Sequence, residues 1–265
     1  MIIPLDLLDD KASGAFDFET IDCLIHLAGP SSGMERLEDP TSILADGYRG
    51  TFNALALAAR LNVSRVLYAS SLAVYGESAR NPVLETYPCL PISHYGIGKF
   101  ANERLVKIFC GERGIRFNQL RLAGVYGPGQ DLARTTHGIV NIFLAMMMKG
   151  PAITSKGGLD RFRDLIHIDD VAEACLKCAE GDIIDGPLNI GSGQTITVER
   201  LIHVLADEIG IGDSLAVDIA EGVPGDIHGI TADISKMKSL LNFTPQYPPE
   251  EGVRRYVRWV LDRAS

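Results

Sequence analysis

Apolar and polar positions alternate along the chain on two different periods. The opening IIPLDLLDD reads as the end of a short apolar strand and an aspartate-rich turn. Residues 22–28 (DCLIHLA) form a near-continuous apolar run that stops at Gly29-Pro30, as a parallel strand buried on both faces does. Asp39-Pro40 then supplies an N-cap and a proline at the first helical position, and the pattern predicts a helix to about Leu61 with Phe52, Leu55 and Ala59 on one stripe. A strand follows at 65–70. After a loop with several prolines comes a helix carrying Tyr95, Leu105 and Ile108, which stops near Gly114. The next strand is predicted over 116–125, ending in Tyr126-Gly127-Pro128-Gly129. Strands alternating with helices mean parallel crossovers, so the expected class is α/β: an open, doubly wound, mostly parallel sheet with ligands beyond the carboxyl ends of its strands.

From about Ile139 the elements become shorter and mixed. The pattern predicts a Met-rich helix through Met148, a strand at 162–167, a helix from Asp169 with that residue as its cap, a helix from Thr197 and a last helix ending near Arg263. Residues 1–135 are therefore expected to form the core. Residues 136–265 are expected to form mainly a small α+β substrate lobe, with some segments returning to the core sheet. The Met146-Met147-Met148 run is read as core packing. No repeat, low-complexity tract or flexible linker interrupts the chain.

Composition narrows the function. With 265 residues and 46% apolar content the chain can bury a sizeable core, and a net charge of −9 with pI near 5.2 argues against nucleic acid and anionic membranes as partners. Five cysteines, mostly among apolar neighbours, fit reduced thiols. Cys175 and Cys178 form a C-x-x-C with no second pair to complete a zinc site, so they are read as structural. No leader pattern or long apolar run is present, and the cytoplasm is the expected compartment.

The candidate chemistry lies in Tyr95-Gly96-Ile97-Gly98-Lys99. In a helix, residues four apart share one face, so the phenol and the ammonium address one small volume. A nearby positive charge favours the phenolate, which moves a tyrosine toward the working range of a general acid/base. On these two residues alone the preferred reading is a chance pair, a half-buried tyrosine beside a solvated lysine. Ser71, at the end of the strand predicted over 65–70, adds a hydroxyl. His94 is set aside, because it points elsewhere once the helix has begun.

The motifs then fall in a recognisable order: Asp6-Leu7, HLAG from His26, SSLAVYG from Ser70, YGIGK, VYGPG from Val125, RFRDLIHIDDVAEA from Arg161, NIGSGQTITV from Asn189 and PGD from Pro224. In this order they resemble the extended short-chain dehydrogenase/reductases, in the NAD-dependent epimerase/dehydratase branch, over nearly the whole chain. The resemblance implies a Rossmann-like fold, a homodimer through the helices beginning near Asp39 and Tyr95, a nucleotide-sugar substrate, and NAD, with NADP left open. It makes Tyr95 the acid/base, Lys99 its partner and the holder of the nicotinamide ribose, and Ser71 the group bonded to the substrate oxygen. Asp6, Leu7, Leu27, Ala28, Gly29, Ser70 and Val125 join Tyr95 and Lys99 in contacting the cofactor. Arg163 aligns with an arginine that grips the substrate diphosphate, although an ion pair with Asp160 or Asp164 explains it nearly as well. His167, Asp169 and Asp170 invite a metal reading, which is rejected for want of a further ligand cluster.

Several positions depart from the resemblance. Family dehydratases carry an Asp-Glu pair where this chain has Leu72 and Ala73, so epimerisation or ketone/alcohol redox is expected rather than dehydration. Gly47, Gly124 and Val223 replace polar residues of the substrate region. The family's G-x-x-G-x-x-G turn has no counterpart, and the Gly191 to Gly193 segment lies in the wrong lobe to replace it. The chain starts at what would be the third strand, which predicts an open apolar edge on the strand at 22–28, to be covered by residues 1–4, by a second subunit or by residues upstream. The alternative expectation is a member that no longer binds dinucleotide and acts as a non-redox isomerase, a binding protein or a structural protein.

Overall fold

The computed structural model describes residues 4–9, 21–31, 39–78, 80–134, 136–182, 184–223 and 225–264. Its main sheet is wholly parallel. The strand order is β1 (Cys23–His26), β2 (Arg65–Ser71), β3 (Arg116–Leu122) and β7 (Gly186–Ile190), with Ser71 level with Leu122 and Leu122 level with Ile190. Helices α1 (Pro40–Arg60) and α2 (His94–Arg113) cover one face, burying Leu55, Ala58, Tyr68, Val106 and Phe109 between them and the sheet. Helix α4 (Ile168–Glu180) covers the other face over Leu67, Leu120 and Leu188, with Cys175 and Cys178 as free buried thiols. Burial pushes both thiols up, to about 11 and about 12. The mostly parallel α/β sheet expected from the alternating pattern is the one found.

Three local expectations need correction. The buried stripe of α1 is Ile43, Ala54, Leu55 and Ala58, whereas Phe52 is 43% exposed and lies edge-on to Phe109. The strand predicted over 116–125 breaks after Leu122. Ala123 N still donates to Ile190 O at 2.8 Å, but β4 (Gly124–Tyr126) leaves the main sheet and pairs with β6 (Phe162–His167). Gly124 makes that crossing possible, because a Cβ there would stand 2.8 Å from Leu165 Cδ2 and 3.1 Å from Asp164 O. The cap of α4 is His167 rather than Asp169: the imidazole accepts from Asp169 N at 3.2 Å, while Asp170 accepts from Gln246 N and Tyr247 N.

The remaining elements build a second layer. Strand β6 lies between β4 and β10 (Gly229–Ile230), with β8 (Thr195–Thr197) antiparallel to it, and β5 (Ala152–Lys156) pairs separately with β9 (Ala216–Ala220). Helices α3 (Ile139–Met147), α5 (Val198–Ile209) and α7 (Pro249–Ala264) enclose a second core around Leu144, Leu165, Val204 and Val257; the short α6 (Ser235–Leu241) packs on β7. Met147 is buried in that core, whereas Met148 is 38% exposed. The Gly191 to Gly193 turn has a structural task, since Asp164 accepts from Ser192 N at 2.8 Å and Gly193 N at 3.1 Å.

Among the described residues β1 pairs with β2 alone, and Leu27, just past its end, is 62% exposed. Most of the segment expected to cover that edge, residues 1–4, lies outside the described residues. Among the described residues, no helix is long and apolar enough to cross a membrane.

Candidate active site

The two layers meet at a cleft of about 970 Å³, at the carboxyl ends of β2 and β3. Ser71 lines it from the end of β2, Tyr95 and Lys99 line it from α2, and Val125, Arg161 and Arg163 line it from the other side. Local chemistry places the first three. Ser71 ends β2, and its Oγ accepts from Ala73 N at 3.2 Å, capping a 3-10 turn over Leu72–Tyr75. That bond uses an acceptor lone pair and leaves the hydroxyl proton to be donated elsewhere. Ser93 caps α2 by accepting from Gly96 N at 3.1 Å, so Tyr95 stands in the first turn and Lys99 one turn later.

Gly96 sets the spacing between the two halves of this group. A Cβ at this position would lie 2.6 Å from Ala73 O, so only a bare glycine lets the start of α2 rest on the turn that follows Ser71. Gly96→Ala is therefore expected to push Tyr95 away from Ser71. A displacement of about 1 Å can cost ~10²-fold in rate, and overpacking costs ~1–3 kcal/mol. Parallel measurements of kcat and of the denaturation midpoint check this; wild-type values for both would remove Gly96 from the account.

Lys99 is 9% exposed and donates to Ala69 O at 2.9 Å. Its Nζ stands 5.7 Å from the Tyr95 ring centroid and 5.4 Å from that of Tyr68. Burial pulls the amine down to about 8. Behind it, His26 contacts Thr51 Oγ1 at 3.2 Å, and burial, followed by the charge of Lys99, lowers the imidazole to about 4. Burial likewise raises the Tyr68 phenol.

The remaining candidates are divided. Leu27, Gly29, Ser70 and Val125 line the cleft, but the Ser70 hydroxyl turns inward to Glu103 Oε1 at 2.6 Å. Ala28 lines a small hollow behind Tyr95. Asp6 and Leu7 are outside the cleft lining. Asp6 accepts from Leu8 N, and Leu7 O accepts from Asn53 of α1 at 2.7 Å. His94, the first residue of α2, is exposed.

Arg163 pairs with Asp226, at 2.6 Å, and with neither Asp160 nor Asp164. Arg161 binds the second oxygen of Asp226. One carboxylate thus orients two guanidinium groups at the cleft wall. Arg161 and Lys156 also line the cleft and were not identified from the sequence; Met146, expected in the core, packs against the second core in part and lines the cleft as well. The available signal was the Arg-Phe-Arg alternation, which puts two arginines on one side of an extended segment.

A parallel open sheet, with Ser, Tyr and Lys at its carboxyl edge and arginines across the cleft, defines a Rossmann-like α/β enzyme. The chain belongs to the NAD dependent epimerase/dehydratase family, whose pattern matches residues 2–191. It is 30% identical to a putative UDP-glucose 4-epimerase of Methanocaldococcus jannaschii, over 96% of this chain and 82% of that one. Its fold is similar to that of UDP-glucose 4-epimerase from Thermotoga maritima, solved with UDP-glucose, at TM-score 0.89 and 27% identity, over 98% of this chain and 84% of that one. It is also similar to the Thermus thermophilus UDP-glucose 4-epimerase in complex with NAD, at TM-score 0.84 and 28% identity, over 96% and 82% of the two chains.

Proposed function

We propose that this chain is an NAD-dependent epimerase, or a ketoreductase, acting on a nucleotide sugar. The observation that carries the reading is the meeting of Ser71, Tyr95 and Lys99 with Arg161 and Arg163 in one cleft. The residues present fit the nicotinamide half of the cofactor. Lys99 spends one N–H on Ala69 O and keeps a donor for a ribose hydroxyl, and the exposed Leu27 to Gly29 segment offers an apolar rim. When bound, NAD supplies the acceptor for hydride from the sugar carbon.

The chain's own residues handle the oxygen and the proton. Ser71 Oγ donates to the substrate hydroxyl oxygen and orients it. Tyr95 takes the hydroxyl proton and later returns it, while the Lys99 ammonium stabilises negative charge on the phenol. Arg161 and Arg163, held forward by Asp226, bind the diphosphate of the nucleotide, as paired guanidinium forks suit. Beside Ser71, Leu72 is buried and Ala73, which lines the cleft, has no proton to give, which disfavours elimination of water. Residues 1–135 carry the reacting groups, and 136–265 supply mainly the substrate wall.

Two further readings accompany this. Tyr48 and Phe52 of α1 and Ile97 and Ile108 of α2 are exposed, an apolar surface suited to a second copy of this chain; sedimentation reading the mass of a single chain would remove it. Five free cysteines fit a reducing compartment such as the cytoplasm, which fractionation of the producing cells tests.

The test of function titrates the protein with NADH and NADPH by nicotinamide fluorescence, then incubates it with UDP-glucose and related UDP sugars. The expected result is micromolar NADH binding and slow interconversion of epimers. Absence of binding by either nucleotide would overturn the redox reading in favour of a non-redox isomerase or a binding protein.

A further inference from the structure

Behind Tyr95 lies a hollow of about 10 Å³, lined by Gly47, Thr51, Tyr68, Tyr95, Lys99 and Asn102. This is close to the room that one water molecule needs, roughly 10–15 Å³. Two hydrogen-bonding deficits of opposite kind meet there. Asn102, on α2, is 4% exposed; its Nδ2 donates to Gly47 O at 3.1 Å, while its Oδ1 is buried without a partner. Such an acceptor costs ~1–3 kcal/mol unless something satisfies it. Lys99, three residues earlier, has three ammonium protons, and Ala69 O takes one of them. Gly47 contributes no side chain, and a Cβ there would already contact Asn102 Nδ2 at 3.6 Å, so any longer residue at this place would occupy the hollow.

We propose that Asn102 is a positioning residue of the active site, whose Oδ1 holds one ordered water against the Lys99 ammonium and so fixes that ammonium beneath Tyr95. The proposal rests on the reading of Tyr95 as the acid/base. A water with two acceptor lone pairs and two protons can receive from Lys99 Nζ and donate to Asn102 Oδ1, cancelling both deficits at once. The titratable groups facing Lys99 are Tyr95 on its own helix, Tyr68 from β2 and His26 from β1; α1 contributes the Thr51 hydroxyl. Because His26 is held neutral by burial, it does not change charge in the range where Lys99 titrates.

The decisive measurement needs no substrate. The full chain, labelled with ¹⁵N-lysine, is titrated while the Lys99 side-chain nitrogen is followed by NMR, assigned with Lys99→Arg. Asn102→Leu removes the acceptor at nearly constant volume and is expected to lower the Lys99 midpoint by about one unit, a tenfold change in its protonation equilibrium. Asn102→Asp is expected to raise it. An unchanged midpoint in either folded variant overturns the proposal, so the aspartate form decides the matter if the leucine form does not fold. In turnover assays Asn102→Leu should lower kcat about tenfold with little change in KM, and its alkaline limb should move with the NMR midpoint. A shifted midpoint in a protein that turns over no sugar would sink the proposed function and leave the Asn102–water–Lys99 contact standing.

Discussion

Tyr95→Phe is expected to lower kcat by about two to four orders of magnitude, the usual worth of a positioned acid/base, and to leave the fold intact. The substitution removes one oxygen from a half-buried ring and keeps the ring itself. Its face remains available to Lys99 Nζ, now 5.7 Å from the centroid. Ser93 still caps α2, and Gly96 still rests on Ala73. Stability should therefore change little, while turnover collapses. NADH binding should survive, because the lysine and the β1 rim are untouched. A variant that binds NADH and unfolds like wild type but keeps full turnover would show that another group moves the proton.

The pH dependence has a defined sign. Lys99 has its folded-state pKa lowered from 10.5 to about 8 by burial. The ammonium proposed to stabilise charge on Tyr95 is thus lost as pH rises through about 8, and turnover should decline on that side. Stability moves the other way. Between about 8 and 10.5 the unfolded chain binds more protons than the folded one, so the penalty for burying the ammonium fades and stability rises with pH.

Features with a fixed local period were legible in the sequence. Tyr95 and Lys99 share a helix face because four residues make one turn, and Ser71 sits where an apolar strand stops. The apolar run at 22–28 announced a parallel strand, although β1 itself closes at His26. Other features depend on residues far along the chain. The Asp226 partner of Arg163 is 63 positions away, and an exchange of Asp226 for nearby aspartates leaves the local pattern unchanged. Gly124 looks like a lost polar contact until Leu165 is seen above it. Phe52 lies at helical spacing from Leu55, yet the packing of α1 on α2 leaves it at the surface. Strand β3 is the hardest case. RFNQLRL carries polar residues on both faces of the strand, yet both faces are covered, and Asn118, Gln119 and Arg121 are all buried. Their partners come from α2, from the loop after the 3-10 turn and from β7, none of which a local pattern contains.

That buried polar layer yields the largest expected effect on stability. Arg121 and Glu103 have side chains only 5% exposed and form a bidentate pair, Nε to Oε1 at 2.9 Å and Nη2 to Oε2 at 2.8 Å. Arg121 also donates to Tyr75 OH at 2.9 Å, and Tyr75 donates to Asn189 Oδ1 at 2.7 Å, which ties the 3-10 turn after β2 to β3 and β7 beneath the cleft. Arg121→Met would leave the Glu103 carboxylate buried with the Ser70 hydroxyl but without its cation, so a loss of about 3–5 kcal/mol is expected in denaturant unfolding. Glu103→Leu should cost a similar amount by stranding the guanidinium. The double variant should recover much of the loss, because a matched apolar pair replaces two charges whose desolvation was costly. Activity should not recover with it. Ser70 Oγ donates to Glu103 at 2.6 Å and so fixes the end of β2, one residue before Ser71, while Glu103 shares α2 with Tyr95 and Lys99. The carboxylate therefore holds the serine-bearing strand against the helix that carries the tyrosine and lysine, and an apolar pair cannot reproduce that hydrogen bond. A double variant that regained both stability and kcat would reduce the pair to packing and detach it from the geometry of the site.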